Sequence, residues 1–339
     1  MTMRFLLFVL LAAVCFGTTG TAQALGPEAS ASSVGAARIL IGGGGLAAVA
    51  LTLHFAGRRR NGATGTSAAP TPGVATVTTL ANRGGRVPSW LLVAVGALGV
   101  LAYQPAFFAG TAANGVAVGT VLALGSGPVI TGGLDWALRR RYPGHRWVVA
   151  TAIATAGVAI LAAATSPGQA SAEPAGLLAS LGAGGSYAVY TLAAKALLDR
   201  GWSATGSMGA LFGTAAVASI PLLLSTDAAW LATGPGLAMA LWLGLVATTL
   251  AYVLFGIGLG GLAPATVSTL TLAEPLTAGI LGVALLGESL SAGAVTGLVV
   301  LATGILVLAA SGTRRTPSAV PDPTIAGSPL VEASVGRRR

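Results

Sequence analysis

Apolar runs of about 20 residues follow one another along this chain, separated by short polar or glycine-rich breaks. A helix needs about 20 apolar residues to cross the hydrocarbon core of a bilayer. Each run therefore predicts a membrane-spanning helix. Ten such runs are legible, at roughly residues 4–24, 34–56, 90–108, 112–138, 147–164, 175–197, 203–224, 236–255, 263–286 and 292–310. The pattern predicts an all-α integral membrane protein with ten transmembrane helices. The Gly/Thr/Ala-rich stretch 61–85 reads as a flexible loop. Residues 312–339, rich in Pro, Ser, Thr and Arg without an apolar period, read as a disordered basic tail.

Composition agrees with that reading. The chain is 54% hydrophobic and 8% charged, with a mean hydropathy of +0.82, against about 25% charged residues in soluble domains. A lone cysteine, Cys15, excludes an internal disulfide and a multi-cysteine metal site. The net charge of +9 does not imply a nucleic-acid partner, because the basic residues sit in short clusters between apolar runs. Arg4, then Arg58–Arg60 with Arg83 and Arg86, then Arg139–Arg141 with Arg146, then Lys195 and Arg200, then Arg314, Arg315 and Arg337–Arg339 fall in alternate breaks. The intervening breaks carry Glu28, Glu173, Asp227 or Glu288. The positive-inside rule then predicts a cell-membrane protein with both termini in the cytoplasm. Residues 4–24 also fit a cleaved signal peptide ending in Ala22-Gln23-Ala24, and charge alone does not separate the two readings.

An internal repeat does. An offset of 147 residues carries Pro128 onto Pro275, Gly132 onto Gly279, Leu134 onto Leu281, Leu138 onto Leu285 and Gly157 onto Gly304. Gly157-Val-Ala-Ile-Leu-Ala-Ala163 matches Gly304-Ile-Leu-Val-Leu-Ala-Ala310, and basic Arg141 falls on acidic Glu288. Ten spans thus divide into five and five: residues 1–164, a linker at 165–174, and residues 175–311. An odd number per half turns the halves upside down relative to one another, the inverted-repeat plan of many secondary transporters. The first span must then be retained.

At these residues the chain resembles the EamA-type branch of the drug/metabolite transporter superfamily. Leu272-Ala-Glu-Pro-Leu276, Gly287-Glu-Ser-Leu290 and the glycine-bearing Gly304-Ile-Leu-Val307 carry the resemblance, with Gly127-Pro128 as a weaker copy in the first half. Phe16-Gly17 stands where members often have Trp-Gly, and Arg38 resembles the arginine that commonly opens the second helix. The resemblance implies a ten-helix carrier with a central cavity, exporting amino acids, other metabolites or drugs by alternating access, commonly coupled to ion or proton gradients. No cofactor is implied, the partners are a small-molecule substrate and the lipid bilayer, and a homodimer is compatible.

The candidate chemistry is sparse. Glu274 is costly in hydrocarbon, and Pro275 beside it cannot donate a backbone N–H to the preceding turn. Glu274 is suited either to carry a coupling proton or bind a cationic group, or to brace a kink at Pro275; Pro128 predicts a kink in the other half. Arg38 reads either as a side chain that snorkels to the interface or as a clamp for a substrate carboxylate. Tyr103, Gln104 and Asn114 cluster where spans three and four meet, and Tyr187 and Tyr190 share one helix face. The bland reading of the aromatics is an interface belt; Gln104 and Asn114 need polar partners in either case. Asp135 and Arg139 are spaced to pair at a helix end. Gly256-Ile-Gly-Leu-Gly-Gly261 fits a dinucleotide-binding pattern without the required strand, and is discounted. Two further classes stay open: a membrane enzyme acting on lipid-linked substrates, which lacks its usual His/Asp/Glu cluster here, and a non-transporting sensor or scaffold, in which Glu274 would be dispensable.

Overall fold

The structure is a computed structural model and describes residues 2–63, 87–140, 142–165 and 173–311. The expected loop beyond residue 63, most of the linker, Arg141, the basic tail and the arginines at 83 and 86 lie outside the described residues. Among the described residues there are helices and no strands. The helices are α1 (Thr2–Ala24), α2 (Ala31–Ala63), α3 (Ser89–Arg139), α4 (His145–Thr165), α5 (Pro174–Leu198), α6 (Ala204–Leu224), α7 (Gly234–Leu241), α8 (Ala251–Gly261), α9 (Pro264–Leu270), α10 (Glu274–Leu286) and α11 (Ala292–Ser311). A π-helical turn, Trp242–Leu250, joins α7 to α8, and a 3-10 turn, Thr271–Ala273, joins α9 to α10.

By length and composition, nine helical stretches among the described residues suffice to cross a membrane, where the apolar pattern predicts ten. The difference lies in α3. Its 51 residues run without a polar break, but Gly115 has φ 81 and ψ 158, a conformation outside the helical region. Glycine adopts it because there is no Cβ to clash. The helix reverses there: Gly119 packs on the backbone of Thr111, eight residues away and about 12 Å distant in a continuous helix. The two arms of α3 run in opposite directions along α5. The first meets α5 through Gly99 at Ser186 and Tyr190 and through Gly110 at Ser180; the second meets it through Ala123 and Gly127 at Gly184.

The same arrangement recurs elsewhere. Helix α1 lies antiparallel to the α7–α8 stretch, with Gly26 on Met239 and Val9 on Gly258, and parallel to α10, where Gly17 packs on Glu274 and Thr277. Thus α5 is sandwiched by the arms of α3 much as α1 is sandwiched by α8 and α10. Glycine permits the close approach in each case, as small residues do between membrane helices.

Charges are sorted by end. Arg139 pairs with Asp135 and with Asp199, each at 2.6 Å, and Lys195 lies 3.5 Å from Asp199. Lys195 also donates to the Leu259 carbonyl, and Arg200 to Ser89 Oγ. Phe5 packs on Gly261 beside this cluster, which brings the start of α1 to the same end. At the opposite end Ser33 bonds Asp227 and Trp230, and Asn114 bonds Glu173.

Candidate functional site

Between the helices a cavity of about 90 Å³ is lined by Phe16, Arg38, Tyr103, Tyr187, Tyr190 and Tyr252, with Gly127, Pro128, Ser268, Thr271 and Glu274 among the rest of the wall. Seven stretches contribute: α1, α2, the two arms of α3, α5, α8 and the α9–α10 junction. A smaller cavity of about 60 Å³, lined by Arg38, Tyr103, Gln104, Tyr190, Phe212, Thr248 and Tyr252, adjoins it.

Arg38 stands between the two cavities and faces inward. Its Nε donates to Thr248 Oγ1 and its Nη2 to the Ala247 carbonyl, both at 2.9 Å. Ala247 and Thr248 belong to the π-helical turn, a distortion that recurs at functional sites. There Thr248 Oγ1 also donates back to the Leu243 carbonyl, five residues earlier. Two of the five guanidinium N–H groups are used in this way. None of the rest has an acceptor among the described residues.

Glu274 opens α10, directly after the 3-10 turn Thr271–Ala273, and Pro275 follows it in the first helical turn, where a missing N–H costs little. The expected disturbance at the proline therefore takes the form of a local 3-10 tightening of a continuing helix, with the carboxylate just after it. Helix α3 stays helical through Pro128, where Thr131 Oγ1 donates to the Gly127 carbonyl at 2.7 Å. The non-helical residue of α3 is Gly115. Glu274 has neither a hydrogen-bond nor an ion-pair partner among the described residues. Arg38 is the charged group that acts on it.

The tyrosines form an aromatic wall. Tyr190 and Tyr252 share a hydroxyl hydrogen bond at 3.0 Å, and Tyr187 bonds Thr271 Oγ1 at 3.0 Å. Their rings meet one another and Phe212, Phe255 and Phe16 edge-on or tilted, at centroid distances of 4.0–6.4 Å. Tyr103 stacks on Phe107, and its hydroxyl has no partner among the described residues.

Of the residues singled out from sequence, Glu274, Arg38, Tyr103, Tyr187, Tyr190 and Pro128 line the main cavity, and Gln104 lines the smaller one. Asn114 is elsewhere. It is fully buried and receives the Glu173 N–H at 2.7 Å while donating to the Glu173 carbonyl at 3.1 Å, which ties the turn of α3 to the start of α5. Tyr252, Phe16, Ser268 and Thr271 complete the site without having been candidates. Tyr252 was visible only as one aromatic on an apolar run, and no spacing relates it to Tyr190. No group of three or more His, Cys, Asp or Glu that could hold a metal ion occurs among the described residues.

Toward the acidic end a larger hollow of about 370 Å³ lies between α1, the second arm of α3, α4 and α10, bordered by Pro275, Gly279 and Glu288. The main cavity is well below the roughly 300–1,000 Å³ of pockets that hold drug-sized ligands. The site is narrow in this conformation.

Comparison with known proteins agrees with this picture. The sequence profile of the EamA-like transporter family matches residues 174–310. An uncharacterized transporter, YwfM, of Bacillus subtilis (strain 168) is 38% identical over 313 residues, covering 91% of this chain and 95% of its own. A solved crystal structure aligns with 89% of this chain and 95% of its own at a TM-score of 0.68 and 18% identity, a likeness of fold. With its apolar helices, its inward-facing polar cavity and a relative of this extent, the chain is a multi-pass membrane protein of the EamA-like transporter family.

Proposed function

We propose that the chain is a secondary carrier that moves a small organic solute, an amino acid, another metabolite or a drug, out of the cytoplasm by alternating access. The observation that carries this reading is the cavity: two opposite charges and an aromatic wall, gathered at the meeting point of seven helical stretches. An enzyme acting on lipid-linked substrates needs reactive groups at a membrane face. A scaffold has no need of a charged guanidinium and a carboxylate held in its interior.

Ten crossings in two inverted halves, residues 1–164 and 175–311, form the frame of this proposal. Its support is the reversal at Gly115, which makes two crossings of α3, and the matched sandwiches of α5 and α1. Helix ends agree as well: Arg140 closes α3 at φ 55 and Gly287, 147 residues on, closes α10 at φ 67. Both termini are placed in the cytoplasm because the described basic residues outside the cavity gather at one end. Alternating access is supported by the asymmetry of that end, sealed by the Arg139–Asp199–Lys195 network, against the hollow at the acidic end.

The test is counterflow in liposomes holding the purified full chain, with a labelled panel of amino acids, organic acids, amines and sugars, and with an imposed pH gradient. Saturable exchange of any one solute, lost on Glu274→Gln or Arg38→Gln, supports the carrier. Product formation without flux supports the enzyme, and neither activity with unaltered behaviour of both variants supports the scaffold.

A further inference from the structure

The cavity holds two formal charges, and only one of them is adjustable. Arg38 is fixed by two hydrogen bonds to the π-helical turn, and a guanidinium stays protonated at every physiological pH. Glu274 lies across the same cavity with no hydrogen-bond partner among the described residues, and can gain or lose a proton. The titratable groups facing it are few. From α2 comes Arg38, from α3 Tyr103, from α5 Tyr187 and from α8 Tyr252. On α1 the neighbouring titratable group is Cys15, next to Phe16, and the second arm of α3 offers only apolar residues and glycine at this level. Tyrosine hydroxyls are uncharged near neutral pH. Any change in the charge of the site therefore falls on Glu274.

Charge held among protein groups away from bulk water is costly unless balanced. With Glu274 ionised the empty site is neutral. Adding a monocation leaves it at +1, and no group can release a compensating proton. Adding a monoanion leaves it at −1, unless Glu274 takes a proton from solution, which restores neutrality. The Glu274 carboxylate is the charged acceptor of the wall while it is ionised; the unpartnered guanidinium N–H groups are donors and the Tyr103 hydroxyl can donate, and donors bind an anion. A protonated Glu274 adds one more. Hydrogen bonds from an ionised donor to a carboxylate are the strong kind, and the guanidinium fork suits a carboxylate.

We infer that the ligand of this cavity is a monoanion, a small carboxylate, and that it binds together with one proton on Glu274. This rests on the carrier reading above and adds the charge class and coupling of its ligand. The proton comes from bulk water, no covalent bond changes in the ligand, and the loaded site has the same zero charge as the empty one.

The experiment uses the full chain in detergent with three probes of similar size: propionate, propylammonium and zwitterionic alanine. Ligand-induced melting shifts are read at pH 5.5 and pH 8 at constant ionic strength, and proton uptake is read with a pH dye in weak buffer. Propionate is expected to raise Tm more at pH 5.5 than at pH 8, and at pH 8, where Glu274 starts ionised, proton uptake should approach one per propionate bound. Glu274→Gln should bind propionate equally at both pH values without uptake, Arg38→Gln should lose the response, and Arg38→Lys should recover part of it. The wild-type dye measurement needs no variant, so a misfolded mutant does not spoil the test. Stabilisation by propylammonium or alanine but not propionate would overturn the inference while leaving the carrier reading intact. So would propionate binding at pH 8 without proton uptake, or silence toward carboxylates from acetate to benzoate.

Discussion

Gly157 and Gly304 occupy reciprocal places in the contact between α4 and α11: Gly157 packs on the backbone of Leu301, and Gly304 on that of Ala154. The offset of 147 residues exchanges the two contacts, since it carries Gly157 to Gly304 and Ala154 to Leu301. The helices are antiparallel, with Gly297 on Leu161 continuing the line. That is the geometry a two-fold axis across the helices would produce, and it makes the α4–α11 seam a place where the inverted-repeat proposal is testable.

A methyl group at either glycine would meet backbone rather than a movable side chain. Gly157→Ala and Gly304→Ala are each expected to destabilise by about 1–3 kcal/mol, the usual range for overpacking. Gly185→Ala, where a Cβ would meet nothing within 4 Å, should melt like the wild type. Thermal unfolding in detergent reads all three. A melting point for Gly157→Ala equal to that of Gly185→Ala would show that the seam is not closely packed.

Thr248→Val removes the acceptor of Arg38 Nε and keeps the shape of the side chain. A hydrogen bond from a charged donor contributes about 1.5–3 kcal/mol, so solute exchange should fall by about tenfold or more with little change in expression. Counterflow rates measured beside those of Arg38→Lys check this. Unchanged rates in both variants would mean that the guanidinium is not held for a ligand.

Asp199→Asn weakens the ion-pair network at the basic end, which the proposed carrier uses as a seal. Asp199 is 44% exposed, so the pair with Arg139 is screened by water and contributes roughly 0.2–1 kcal/mol. A modest shift toward opening at that end is expected. In a Cys15→Ser background, a cysteine placed at Ser89 should react faster with a water-soluble maleimide when Asp199 is replaced. Equal labelling rates would mean that the ion pairs hold nothing shut.

Arg140 ends α3 in the left-handed region, where a side chain costs about 1–2 kcal/mol. Its counterpart Gly287 avoids that cost. Arg140→Gly should therefore raise Tm, by an amount reduced through the greater freedom glycine has when unfolded. A lower Tm would show that the exposed guanidinium contributes more than the backbone strain removes.

Much of the frame was legible from the chain alone. Spans of 20 apolar residues announce helices because hydrocarbon accepts no unsatisfied backbone, and the basic clusters mark one end because they resist crossing. The Asp135–Arg139 pair followed from four-residue spacing and is present at 2.6 Å. Glu274 stood out because a carboxylate in an apolar run is expensive.

Other features were decided only by tertiary packing. Sequence left Arg38 between snorkelling outward and facing a ligand, and the π-helical turn 210 residues away turns it inward. It grouped Asn114 with Tyr103 and Gln104 by proximity, yet the reversal at Gly115 carries Asn114 off to Glu173. Tyr252 gave no local signal at all, because its hydrogen bond to Tyr190 joins helices 62 residues apart. Apolar periodicity reports which solvent a segment prefers, and lipid and protein interior look alike to it. Which face of each helix turns toward the cavity depends on glycine contacts and hydrogen bonds between distant segments, and these exist only once the helices have packed.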